Sequence, residues 1–174
     1  MRTCILDRSA TTPIARWTQN SIPLGVQLNH DQSLQDAYLT LSVFAAKIKC
    51  GHTYANFFNQ HKSVVEELFQ GQNRVPFYFE WIADQMVITQ DFTPDHQLPL
   101  GTLVQEINGT PVAAILGILM TVARADGSND AKRIASLGMR GDGLYETFDI
   151  FFPMFFPQCT EDGYPPQAPI AASL

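Results

Sequence analysis

Charge is scarce in this chain. Of its 174 residues only 16% are Asp, Glu, Lys or Arg, against 45% hydrophobic, so a buried core is expected and disorder is not. Basic residues are the scarcer sign: 11 Lys and Arg stand against 17 Asp and Glu, for a net charge of -6. They are scattered, without a basic run, which argues against a nucleic-acid role, since that needs a concentrated positive face. Long apolar runs are missing too. No segment reaches the roughly 18 residues of a membrane span, so no span is expected. The opening residues, Met1 to Arg8, break a short apolar run with acid and base, unlike a signal peptide, and the compartment stays open. Cysteines number three, Cys4, Cys50 and Cys159. An odd count at wide spacing indicates neither a disulfide framework nor a zinc knuckle. There is also no Gly-x-Ser-x-Gly nucleophile elbow.

What is present is strong local patterning. Leu34, Tyr38, Leu41, Ala45 and Ile48 recur at spacings of four and three, one face of an α-helix, and Ala37 and Phe44 widen that stripe. Ser33 is a good N-cap, with Asp36 three residues on. Lys47 and Lys49 suit the C-terminal end of the dipole, and Gly51 fits the left-handed position that closes a helix. A second helix is expected over about 60–69, ended by Gly71. Residues 75–82 and 86–92 alternate in β-prone fashion around Ala83-Asp84-Gln85, a hairpin signal. Residues 100–107 read as a strand ending at Asn108-Gly109, a pair that favours positive φ. Helices are expected over 112–124 and 130–137, the second capped by Asn129 or Asp130. The Phe-rich stretch 144–156 reads as a buried helix or strand. Residues 1–30 carry at most a short helix at 14–19, and the Pro-rich residues after Pro157 read as a tail.

His52 is the leading candidate for chemistry. It stands just past a helix C-terminus, and beside a serine it would serve as a general base. The plain alternative is a capping histidine. Ser63, Ser128 and Ser136 sit in ordinary helix or loop contexts. Cys50 reads as a buried small hydrophobe at a helix end, because near neighbours in sequence rarely converge as nucleophile and base. Cys50 and His52 offer two metal ligands, but no second cluster accompanies them, so no metal and no other cofactor is expected. Asp126-Gly127-Ser128-Asn129-Asp130 looks like a calcium loop without its distal glutamate. Asn108-Gly109-Thr110 reads as a turn before it reads as a glycosylation acceptor, and Arg140-Gly141-Asp142 as a glycine loop. Glu66-Glu67 reads as a solvated helix face.

Three stretches, taken in order, resemble one family. Lys47-Ile48-Lys49-Cys50-Gly51-His52-Thr53 ends a helix as the Gly-His-Thr motif does in tail-specific, or C-terminal-processing, serine peptidases. Residues 100–112, with Ile107-Asn108-Gly109-Thr110-Pro111-Val112 at their end, resemble the PDZ-like Gly-Asp-x-Ile-x-x-Ile-Asn-Gly-x-Pro-Val segment of those enzymes. Asp126-Gly127-Ser128-Asn129 and the Phe-rich region match the connection that leads toward the catalytic domain. The likeness covers about residues 34–156. It departs from the family at Thr102, where aspartate is usual, and at Gly51, where the tricorn-like branch has a serine before its histidine.

The resemblance implies an α+β chain: a helical N-terminal lobe over 1–75, a PDZ-like β segment over 76–112, a helical connection over 113–156 and the tail over 157–174. It implies peptide-bond hydrolysis by a serine outside these residues, with His52 as the candidate general base and a peptide or protein as substrate. On that reading the chain is a fragment, a truncated product or a degenerate relative, and is inactive alone. The alternative is a stand-alone peptide-binding or scaffold module, which would take an extended peptide at a sheet edge. A third possibility is an unrelated α+β enzyme using His52 and Cys50. Oligomeric state is not legible.

Overall fold

The computed structural model describes residues 23–69, 74–94, 96–143 and 145–157. The expected helix at 14–19, Gly71, Cys4, Cys159 and the tail after Pro157 lie outside them. The fold is mixed α+β, with helices first and a small sheet after. In chain order the elements are α1 (Leu24–Gln27), α2 (Leu34–Lys47), α3 (Lys62–Leu68), β1 (Phe77–Ile82), β2 (Gln85–Asp91), β3 (Leu103–Val104), β4 (Glu106–Ile107), β5 (Thr110–Pro111), α4 (Val112–Leu119), α5 (Asp130–Ala135) and α6 (Thr147–Phe155). None of the helices among the described residues is long and apolar enough to cross a membrane.

Helix α2 starts as its sequence dictates. Ser33 Oγ accepts the Asp36 N–H at 3.0 Å, satisfying a donor that the first turn leaves free. Its end differs from expectation. Lys49, not Gly51, takes the left-handed conformation, with φ 56. Lys49 N–H donates to Ala46 O at 3.2 Å, and Lys49 O accepts Gly127 N–H at 2.8 Å. Holding this non-glycine residue left-handed costs on the order of 1 kcal/mol, which the carbonyl's tertiary bond helps offset. The buried face also differs. Leu34, Leu41, Phe44 and Ile48 are exposed, whereas Leu39, Val43 and Ala46 join Tyr38 and Ala45 in the interior. The inward face is rotated by roughly 100°, the angular step of one residue. The helix is apolar on most sides, so two stripes compete, and the one carrying small Ser42 and Ala46 packs inward.

The β1–β2 hairpin pairs Ile82 with Gln85 and Phe77 with Asp91, with a register shift between Tyr78 and Phe79. Ala83 and Asp84 have φ 49 and 60, both positive, as two-residue hairpin turns require. Strand β3 pairs antiparallel with β2, giving the order β1-β2-β3. The strand expected over 100–107 is broken at Gln105. Its second half, β4, pairs with β5 around Asn108-Gly109, whose φ values are 47 and 79. Val112 N–H then donates to Gln105 O at 3.0 Å, turning the chain directly into α4. That helix is shorter than expected; Thr121 and Val122 close it through bonds to Ile118 and Leu119.

One hydrophobic cluster takes side chains from α2, the sheet, α4 and α6. The Phe-rich stretch is a buried helix, α6. Phe148 meets Phe79 edge-on at 4.8 Å and stacks on Phe152 at 4.8 Å, geometries that add to simple burial. Helix α6 also carries Asp149 inward. Its Oδ2 pairs with Arg74 Nη1 at 3.4 Å, while its buried Oδ1 has no hydrogen-bond partner among the described residues.

Candidate functional site

The turn after α2 is fastened to the loop after α4. Gly51 N–H donates to Asp126 Oδ1 at 2.7 Å. In return Gly127 N–H donates to Lys49 O at 2.8 Å, and Lys49 Nζ donates to Ser128 Oγ at 3.0 Å. Glycine at 51 suits the close approach: a Cβ there would sit 3.2 Å from both carboxylate oxygens of Asp126. Two segments far apart in sequence thus form one small platform.

His52 stands exposed on that platform. Its imidazole makes no hydrogen bond among the described residues, so it is free to turn toward a ligand. It does not cap α2 as the plain reading had it, because Ile48 and Lys49 close the helix. Cys50, expected as a buried small hydrophobe, is half-buried at the surface. Hydrogen bonds from the Thr53 hydroxyl and the His52 backbone N–H hold its thiol below the ordinary cysteine value. The Gly51 N–H, with Lys132 and His52 nearby, holds Asp126 below the usual carboxylate range. The ligating atoms of Cys50, His52 and Asp126 all lie within 4.8 Å of one another.

No family model, curated protein or solved structure matches the chain.

The meaning of the platform therefore rests on its own chemistry. It holds a thiol, an imidazole and a carboxylate, the last fixed by a backbone amide. Such a set can accept a proton, ligate a cation, or present one imidazole to a reacting group brought by another segment. Ser63, Ser128 and Ser136 each have a partner of their own. Ser63 Oγ lies 2.8 Å from His61 Nδ1, but both are exposed and His61 caps α3. Ser128 Oγ accepts from Lys49, and Ser136 Oγ donates to Arg133 O.

The chain also forms a cavity of about 270 Å³, open to solvent and lined in part by Phe58, Arg124, Arg140, Tyr145 and Glu146. The Arg124 guanidinium sits 3.6 Å above the Tyr54 ring, a cation–π contact that holds it against the Gly-His-Thr segment. Arg140 pairs with Glu80 at 2.9 Å, and Glu146 Oε1 accepts the Arg140 N–H at 2.8 Å.

Asp126 is the residue that sequence reasoning missed. The sequence offered it only within a calcium-loop likeness that lacks its distal glutamate and within the family-like connection, with no role of its own. Its carboxylate accepts from Gly51, Asn129 caps α5 through the Lys132 N–H, and Asp130 pairs with Arg133. The fit of a Cβ-free residue to a distant carboxylate leaves no trace in local spacing. The turn reading of Asn108-Gly109-Thr110 matches the structure, and the exposed Glu66 pairs with Lys62 at 3.5 Å as part of a solvated face.

Proposed function

We propose that the chain is the N-terminal portion, without the nucleophile, of a tail-specific-type serine peptidase. It helps position a peptide substrate and presents His52 to a serine supplied by a segment outside these residues. The observation that carries the reading is the fastening of the Gly51-His52 turn to Asp126-Gly127. Two of the stretches that resemble the family meet at one surface there, and the histidine between them is exposed. The third stretch, around Asn108-Gly109, forms a hairpin that leads straight into α4. The apolar outer face of α2, with Leu34, Leu41, Phe44 and Ile48, is the kind of surface a further domain covers. In this mechanism the external serine attacks a peptide carbonyl while His52 takes its proton; the peptide C–N bond then breaks as His52 passes that proton to the leaving amine, giving an acyl-enzyme that water hydrolyses.

The rival reading, a stand-alone module that adds a peptide strand to a sheet edge, has less room. Strand β1 is bridged on its outer side by Met139, through bonds of 3.0 and 2.9 Å with Phe79. Strand β3, at the other edge, is two residues long. Strand addition needs a free row of donors and acceptors.

The test uses the polypeptide encoded by residues 1–174 together with the coding sequence that follows Leu174. A fluorophosphonate probe should label one serine beyond Leu174. Absence of labelling, with the protein folded, contradicts the reading and favours the scaffold module.

A further inference from the structure

We propose that Cys50, His52 and Asp126 form a three-ligand site for a borderline-soft divalent cation of the zinc class. Sequence spacing alone offered only the pair Cys50 and His52, and no metal was expected because no second cluster accompanied them. The structure supplies the third ligand from the loop after α4, with all three ligating atoms within 4.8 Å of one another. Tetrahedral zinc, with bonds of about 2.3 Å to sulfur and about 2.0–2.2 Å to nitrogen and oxygen, places its ligands roughly 3.3–3.6 Å apart. Closing the difference takes side-chain rotation, at a site where His52 and Asp126 are exposed and Cys50 is half-buried.

The ligand set selects the ion. A thiolate and an imidazole favour zinc, cobalt or copper over magnesium and calcium, which prefer oxygen throughout. Thiolate and carboxylate together neutralise a divalent charge. The Gly51 N–H already orients Asp126 through Oδ1, as an outer partner orients a metal-bound carboxylate, leaving Oδ2 to bind. Three protein ligands leave the fourth position open to water or another ligand.

Two cations surround the site. Lys49 Nζ is engaged with Ser128. Lys132 Nζ lies 3.8 Å from Asp126 Oδ2 and is more than half exposed, so it competes with the metal for the same oxygen and can swing into solvent. That competition gives the proposal a signature that a merely structural role for Asp126 lacks. The proposal does not depend on the peptidase reading, since its readout is bound metal.

The experiment titrates Co²⁺ and then Zn²⁺ into the full chain carrying Cys4→Ser and Cys159→Ser, so that Cys50 is the sole thiol. A thiolate-to-cobalt absorption band should saturate at one ion per chain and be displaced by zinc. Cys50→Ser should abolish the band. His52→Ala and Asp126→Asn should each weaken binding by on the order of tenfold. Asp126→Asn keeps an oxygen for the Gly51 N–H, which separates loss of a ligand from loss of the loop contact. Lys132→Ala should tighten binding about two- to fivefold, the scale of an exposed ion pair. No band, or metal content equal in Cys50→Ser and its parent, overturns the proposal; so does unchanged affinity in both His52→Ala and Asp126→Asn.

Discussion

Asp126 Oδ1 accepts the Gly51 N–H at 2.7 Å across 75 residues of chain. That bond sets the turn carrying His52, and its loss should be visible at one amide. Asp126→Ala should speed hydrogen exchange of the Gly51 N–H while leaving amides in the middle of α2 and in β2 unchanged. Asp126→Asn should retain most of the protection, because its amide oxygen can accept the same bond. Equal exchange at Gly51 in wild type and Asp126→Ala would show that the turn holds itself.

The face of α2 gives a second prediction. Leu41 and Phe44 are exposed, whereas Leu39 is almost wholly buried. Leu41→Ser and Phe44→Ser should each change the unfolding free energy of the chain by less than about 0.5 kcal/mol, as surface changes do. Leu39→Ala should cost about 2–5 kcal/mol. Urea unfolding measures all three, and a reversed order would restore the stripe that spacing alone suggests.

That helix shows what the sequence could and could not convey. Its existence and its cap at Ser33 were legible, because both depend on residues three or four apart. Which face turns inward was not, because Leu39, Val43 and Ala46 compete with Leu34, Leu41 and Phe44 on nearly equal terms. The choice is made by the rest of the core, to which the sheet, α4 and α6 contribute most. The hairpin turns at Ala83-Asp84 and Asn108-Gly109 were likewise legible as local chemistry. The broken strand at Gln105 was not, since it depends on Val112 N–H reaching back to Gln105 O. The site followed the same division. His52 stood out beside its glycine, while Asp126 needed the fold to bring it there.

Gly141 tests a close approach of another kind. It has φ 76, and a Cβ there would lie 2.6 Å from the Tyr78 ring. Its N–H also donates to Glu146 Oε1 at 3.2 Å. Gly141→Ala should therefore combine left-handed strain with overpacking and cost about 2–4 kcal/mol. A thermal or urea melt within 0.5 kcal/mol of wild type would contradict this by the same measure used for surface sites.

Asp149 predicts a pH dependence. Burial raises its pKa from 3.8 to about 6, against the opposing pull of Arg74. For a carboxyl raised on folding, the folded state binds the proton more tightly. The group's stabilising contribution is full below the unfolded value near 3.8 and is lost as pH rises through about 6. Asp149→Asn carries no such dependence. Relative to wild type it should gain stability between about pH 4 and pH 7, by up to about 3 kcal/mol, a shift of some two pKa units. The check is urea unfolding of both proteins across that range. A constant difference between the two curves would mean that Asp149 does not titrate in this way.

His52 is proposed to act on a peptide bond with a serine from elsewhere in the polypeptide. The most direct measurement is kcat/KM for peptide hydrolysis by the longer protein, wild type against His52→Ala, with a chelator present so that metal binding plays no part. Loss of a general base lowers the rate by about 10²–10⁴-fold, and that drop is predicted with the fold intact by circular dichroism. Hydrolysis unchanged in His52→Ala would contradict the claim and leave the histidine to its neighbours Cys50 and Asp126.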